Sequence, residues 1–222
     1  MYRMPRRGFL ELILLTGAFG VQWLNPLRAL SALFSRKEGP MMLLPKPAHE
    51  GSLFVEEAIK RRRTVRSFSS RPMKKQDLSK LLYAAQGITE DHGFKRAAPS
   101  GGALYPLDVY TVVGDKGEHV TKGDRKEELA KASLHQMWMA KPPLNFVITA
   151  QYSRICSKYG DRGVRYAMIE AGHVGQNIFL QAEALGLKAG IVGAFEDMKV
   201  INVLGIPKKH EPLLIMPVGY RA

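Results

Sequence analysis

Cysteine is almost missing from this chain: Cys156 stands alone among 222 residues. A single thiol excludes an intrachain disulfide and any metal site built on cysteine pairs. Without an obvious local partner for nucleophilic chemistry, it reads as a structural thiol. Long apolar runs are lacking too. The run Phe9 to Leu24 is broken by Glu11, Thr16 and Gln22 and falls short of the roughly 20 residues a membrane span needs. There is no repeat of solenoid period. Neither a Walker loop nor a GxGxxG fingerprint is present, which disfavours a nucleoside triphosphate or a Rossmann-bound dinucleotide. Acidic residues are scarce against basic ones, 20 to 33, for a net charge of +13. The excess is spread along the chain, without zinc-ligand spacing, a helix-turn-helix pattern or an RNA-stacking signature. Charge alone therefore implies attraction to anionic substrates, cofactors or surfaces, with non-specific nucleic-acid binding as the broader alternative.

What is present suits one folded domain. The chain is 45% hydrophobic and 24% charged, enough for a substantial core. Residues 1–32 differ from the rest. Arg6 and Arg7 precede Gly8, Phe9 and Leu10, and the string RRGFLE resembles a twin-arginine export signal, with small residues Ala29 and Ser31 as a possible cleavage point. That motif implies transient contact with the export machinery and an exported, periplasmic or cell-envelope protein. An amphipathic N-terminal helix of a cytoplasmic protein is the other reading. Residues 33–52, with Pro40, Pro45, Pro47 and Gly51, read as an extended linker. Residues 53–222 form the expected domain.

Within it, Ser52 is the expected N-cap of a helix that ends in the basic run, with Glu56 and Glu57 in its first turn. Leu78, Leu81, Leu82 and Ala85 give a second helix over 77–86 with Gly87 as its stop. Asp108 to Val113 reads as a strand, 114–123 as a hairpin or loop, and Asp124 to Ala140 as one helix ended by Pro142 and Pro143. Leu144 to Ala150 is a buried strand. Arg165 to Leu185 is the longest helix, with Met168, Ala171, Gly175, Ile178, Ala182 and Leu185 on one stripe and further apolar residues beyond it. Such a helix is central or shared with a second subunit. His173 on it reads as a packed residue rather than a ligand. A strand over 189–195, a helix over 196–204 and a strand over 213–218 complete an α+β domain around one sheet.

Three segments carry chemistry. RRRTVRSF, Arg61 to Phe68, places a cluster of arginines and the Thr64 hydroxyl at a helix end. Arginine forks and a hydroxyl match phosphate oxygens; a solvated basic face and a nucleic-acid or targeting patch are the other readings. PSGGALYP, Pro99 to Pro106, has adjacent glycines that free the backbone and expose amides. GIVGAF, Gly190 to Phe195, is a strand end along which a planar ring can lie. Each glycine segment alone is also readable as an ordinary turn.

Their order resembles the nitroreductase family of FMN-dependent oxidoreductases: RR-T-V-R-S-F early, a helix with a Leu-Leu pair, PSGGALYP before a strand, a long glycine-containing helix, then LGLKAGIVGAF and PVGY. The resemblance covers about residues 53–220, and APSGGALYPLDVY is most similar to the branch of SagB-type dehydrogenases, which oxidise azolines in modified peptides. It implies a nitroreductase-like α+β fold, with a central mixed sheet flanked by helices, and a homodimer binding FMN at the subunit interface. Arg62, Arg63, Thr64 and Arg66 are then expected on the FMN phosphate and ribityl chain. Pro99, Ser100, Gly101, Gly102 and Leu104 of the partner chain line the flavin. Val192, Gly193 and Ala194 lie near the ring with an amide towards N5, and Arg221 is a further phosphate contact. Tyr105 and Phe195 are expected to line the substrate face. NAD(P)H or another reductant and a small-molecule acceptor exchange a hydride through the flavin, with no obligate protein acid or base and no metal. The sequence departs from better-known members at Ala103, Leu107 and Gly193, where asparagine, tryptophan and glutamate are usual, so side-chain contacts to the flavin differ. An FMN-binding protein without turnover is the alternative within the same resemblance.

Overall fold

The computed structural model describes residues 44–47, 51, 53–91, 94–114 and 124–222, all within the unit Gly39–Ala222. The arginine pair, Ala29 and Ser31, most of the 33–52 segment, the expected Ser52 cap and the 115–123 loop lie outside the described residues.

A four-stranded sheet in the order β1-β2-β4-β3 organises the domain. β1 is Leu107–Val113, β2 Leu144–Ala150, β3 Lys188–Ala189 and β4 Glu211–Gly219, all pairing antiparallel. Among the described residues the one parallel pairing is an isolated bridge, outside these strands, between Thr64 and Ala189. All seven residues of β2 are buried, as a central strand covered on both faces requires. Successive residues serve opposite layers: Phe146 and Ile148 join one hydrophobic cluster with Met216, while Val147 joins the other with Ile215. The domain is thus a sheet between two helical layers.

The first layer holds α1 (Val55–Arg61), α2 (Lys75–Gln86), α4 (Ser153–Tyr159) and α5 (Arg162–Ala184). α1 has Glu56 and Glu57 in its first turn and Lys60 and Arg61 in its last, charges that complement the helix dipole. Phe54 occupies its N-cap with no side-chain cap, so the cap falls two residues beyond the expected serine. Gly87 ends α2 at φ −60, not in a left-handed turn; a Cβ there would collide with Tyr83. Space, not φ, calls for glycine. The backbone of Pro45 and Lys46 accepts hydrogen bonds from Ser79 and Gln76 at 2.6 and 3.0 Å, so part of the linker is fastened to α2.

α5 buries Ala167, Ala171, Val174, Ile178 and Ala182. The expected stripe included Met168, but Met168 and Ile169 are 53% and 51% exposed and share the outer face with Gly172, His173 and Gln176. His173 is therefore not a core residue of the single chain. The excess apolar surface faces away from the sheet, with exposed Phe54, Val55 and Ile59 on the neighbouring α1.

The second layer holds α3 (Lys126–Ala132) and α6 (Asp197–Leu204). The helix expected over 124–140 is broken. Ser133 donates both its amide and its hydroxyl to Leu129 O, Leu134 and His135 turn to φ 53 and 58, and a 3-10 turn, Met137–Ala140, follows. Serine competing for helix carbonyls favours such an ending.

Candidate functional site

The basic turn is not a free helix end. Val65 N donates to Ala189 O at 3.0 Å, and Ser69 N to Tyr220 O at 2.9 Å. Phe68 pairs with Arg221 as an isolated bridge. Phe68 also stacks on Trp138, ring centroids 6.1 Å apart and 17° from parallel. Three segments far apart in sequence, 62–69, 188–195 and 219–222, thereby meet at the end of β3. Gly190 permits the approach: a Cβ on it would lie 2.8 Å from Val65 O and 3.0 Å from the Trp138 ring.

The arginines divide by their engagements. Arg61 is held by Glu57 at 2.6 Å. Arg62 lies over the Phe179 ring at 5.2 Å, and Arg63 donates to the carbonyls of Lys60 and Arg62. Among the described residues the side chains of Arg66 and Arg221 have neither a hydrogen bond nor an ion pair. Two such guanidinium groups, on segments tied by the Phe68–Arg221 bridge and with Thr64 on the same turn as Arg66, suit an anion with several oxygens.

The strand end beyond β3 adds donors. Val192 exchanges backbone hydrogen bonds with Ile215 at 2.8 and 2.9 Å, and Glu196 N donates to Ala132 O at 2.9 Å. Between them the amides of Gly193, Ala194 and Phe195 donate to nothing within the described residues. Gly193 and Ala194 are exposed, and a Cβ on Gly193 would meet open space. Val192 differs from its expected role: it is 4% exposed and its side chain packs in the second core cluster. Phe195 packs against the same cluster, which limits what it offers a substrate.

The glycine loop lies elsewhere. A 3-10 turn, Gly101–Ala103, follows Pro99 and Ser100. Gly102, Ala103 and Tyr105 have φ of 62, 54 and 46, a backbone that L residues adopt only when the surroundings hold it. They do. Tyr105 N donates to Ser100 Oγ at 2.9 Å, Tyr105 OH to Phe94 O at 2.9 Å, and Arg154 to Tyr105 O at 3.3 Å. Arg96 stacks on the Tyr105 ring at 4.6 Å. Leu104 packs on the first core cluster. The loop rests on α4 and α5 through Gly101 and Gly102, whose added Cβ atoms would meet Tyr166 and Tyr159. No hydrogen bond or bridge joins it to the basic turn among the described residues.

Glu170, 1% exposed, underlies that loop. Gln86 donates to its Oε1 at 3.2 Å, while Oε2 has no partner of hydrogen-bond geometry among the described residues. Burial pushes its carboxyl above the ordinary range, against the opposing pull of Ser100, Gln86, His173 and Arg96. Cys156 is a free thiol packed on the core. No group of metal-ligating side chains occurs among the described residues. Trp138, Gln136 and Glu170 matter to this geometry but carry no motif. Their positions become visible only once the turn at 133–136 and the packing of α5 are known.

Comparison with known proteins assigns the class. The Nitroreductase family matches residues 59–220, most of the folded unit. The chain is 41% identical over 181 residues to the nitroreductase-type protein MJ1384 of Methanocaldococcus jannaschii, covering 74% of this chain and 90% of that protein. It is 25% identical over 164 residues to the microcin B17-processing protein McbC of Escherichia coli, covering 64% of this chain and 60% of McbC. A solved nitroreductase-type structure from Ralstonia eutropha superposes with a TM-score of 0.71 over 81% of this chain and 88% of its own, at 23% identity, a likeness of fold. The chain belongs to the Nitroreductase family: it is an oxidoreductase-family protein with the nitroreductase fold.

Proposed function

We propose that the protein is an FMN-dependent oxidoreductase that works as a homodimer. One observation carries this reading: backbone bonds tie the segments bearing Arg66 and Arg221, whose side chains have no hydrogen bond or ion pair among the described residues, to the stretch 188–192, beyond which the 193–195 amides donate to nothing among those residues. That donor set fits a phosphorylated planar cofactor, cations for the phosphate and amides for the ring edge. Arg62, Arg63 and Thr64 complete the phosphate side, and Gly193 and Ala194 offer backbone without side-chain bulk. Among the described residues no hydrogen bond or bridge ties the loop Pro99–Tyr105 to this site. Its rigid, strained backbone suits presentation to a partner subunit, and the exposed apolar faces of α1 and α5 suit the dimer that this requires.

When bound, FMN supplies the hydride chemistry, taking a hydride from a reductant such as NADH or NADPH and passing it to a small-molecule acceptor, or the reverse with an oxidisable substrate. The protein's part is to clamp the phosphate, hold the amides in place and exclude water with the partner's loop. Similarity to McbC supports the dehydrogenase direction as a second reading. The Arg6–Arg7 pair supports export, and replacing both with lysine is expected to retain the protein in the cytoplasm.

The test is anaerobic addition of NADH or NADPH to the FMN-loaded protein. Bleaching of the flavin bands, recovered on adding an acceptor, is the expected result. Flavin that stays oxidised with every reductant tried marks a cofactor-binding protein without turnover.

A further inference from the structure

The turn between α3 and the 3-10 segment holds two adjacent non-glycine residues, Leu134 and His135, in the left-handed region at φ 53 and 58. L residues avoid that region, and a pair in succession persists only when something beyond them fixes it. Both side chains are exposed, so packing of Leu134 in the core does not fix it. What the turn delivers is Gln136. Its Nε2 donates to Ala194 O at 3.0 Å, across 58 residues of sequence.

The bond falls at a critical place. The strand end is tied at Val192 to Ile215 and at Glu196 to Ala132. Between those ties the Ala194 carbonyl is the one backbone group of residues 193–195 with a hydrogen bond among the described residues. A peptide unit is planar, so fixing the Ala194 carbonyl also fixes the direction of the Phe195 N–H. The Val192 carbonyl, held by Ile215 N, fixes the Gly193 N–H in the same way, and the 193–194 peptide lies between these two held planes. An amide side chain acts here as a brace for a row of donors.

We propose that Gln136 is a positioning residue that keeps the 193–195 amides aimed at the cofactor, and that the left-handed turn at Leu134–His135 exists to place it. This rests on the reading that FMN lies against that strand end. Gln136 touches no reacting atom; it acts through the Ala194 carbonyl.

Two variants test it. Gln136→Leu keeps the bulk and removes the donor; Gln136→Lys keeps a donor long enough to reach the carbonyl. FMN titration followed by fluorescence, the flavin midpoint potential and the melting temperature of the apoprotein are measured for each. Gln136→Leu is expected to weaken FMN binding about five- to tenfold, the value of one hydrogen bond. It is also expected to move the potential to a more negative value, with the apoprotein melting almost unchanged. Gln136→Lys is expected to stay within about threefold of wild type in affinity. A leucine variant with wild-type affinity and potential overturns the proposal, as does a lysine variant as weak as the leucine one. Failure of the wild-type protein to take up FMN instead overturns the reading beneath it.

Discussion

The Val65 amide donates to the Ala189 carbonyl at 3.0 Å, and this bond joins the basic turn to the strand end that faces it. Gly190 follows immediately, with room for hydrogen but not for a methyl group between Val65 O and Trp138. Gly190→Ala is expected to cost about 1–3 kcal/mol by overpacking and to loosen FMN binding with it. Thermal melts with and without FMN check both effects.

Arg66 and Arg61 are neighbours in sequence with different fates. Arg66→Ala is expected to weaken FMN binding by roughly 1.5–3 kcal/mol, the scale of a hydrogen bond to a charged group. Arg61→Ala removes an exposed pair with Glu57 and is expected to leave FMN affinity unchanged, at most about 0.5 kcal/mol of stability being lost. Parallel titrations of the two variants separate a phosphate clamp from a general basic field.

Met168 lies exposed on the outer face of α5. A carboxylate there leaves the single-chain core intact but opposes burial between subunits. Met168→Asp is expected to shift the protein from dimer to monomer in sedimentation and to lower FMN affinity with it. A monomer that keeps full affinity contradicts a site shared between chains.

Glu170 sets a pH dependence. Its carboxyl is raised above the ordinary 4.5 by burial, so between the unfolded and folded values the folded state binds a proton that the unfolded chain has released. The corresponding stability is complete below the unfolded value and is lost as pH rises through the folded one. Glu170→Gln, which keeps shape and stays neutral, removes that loss. The variant is expected to melt higher than wild type at pH 8, by on the order of 1 kcal/mol, with the difference shrinking towards pH 4. Melting curves across that range check the sign.

Much of this was legible in residue patterns. β2, a fully buried run, and α6, stopped by Gly205 in the left-handed conformation, follow from local signals that packing did not override. Ser133 and the left-handed pair after it did not: nothing in LHQMW announces a turn, because Leu134 and His135 adopt a backbone that their types disfavour. The outer face of α5 was misread for a related reason. Met168 and Ile169 are as apolar as core residues, and only the direction of the sheet decides which side is inside. At the site, the arginines and glycines were visible as types. That Arg61 is paired with Glu57, that Arg66 has no partner among the described residues and that Val192 is buried depends on side-chain contacts that residue types do not reveal.

The most direct measurement is an FMN titration of the purified protein with its oligomeric state determined in the same sample. One FMN per chain is expected, bound by a dimer, released on denaturation and held markedly less well by Arg66→Ala. A colourless protein that cannot be reconstituted with FMN overturns the cofactor assignment, and one that binds FMN equally well without Arg66 overturns the phosphate clamp.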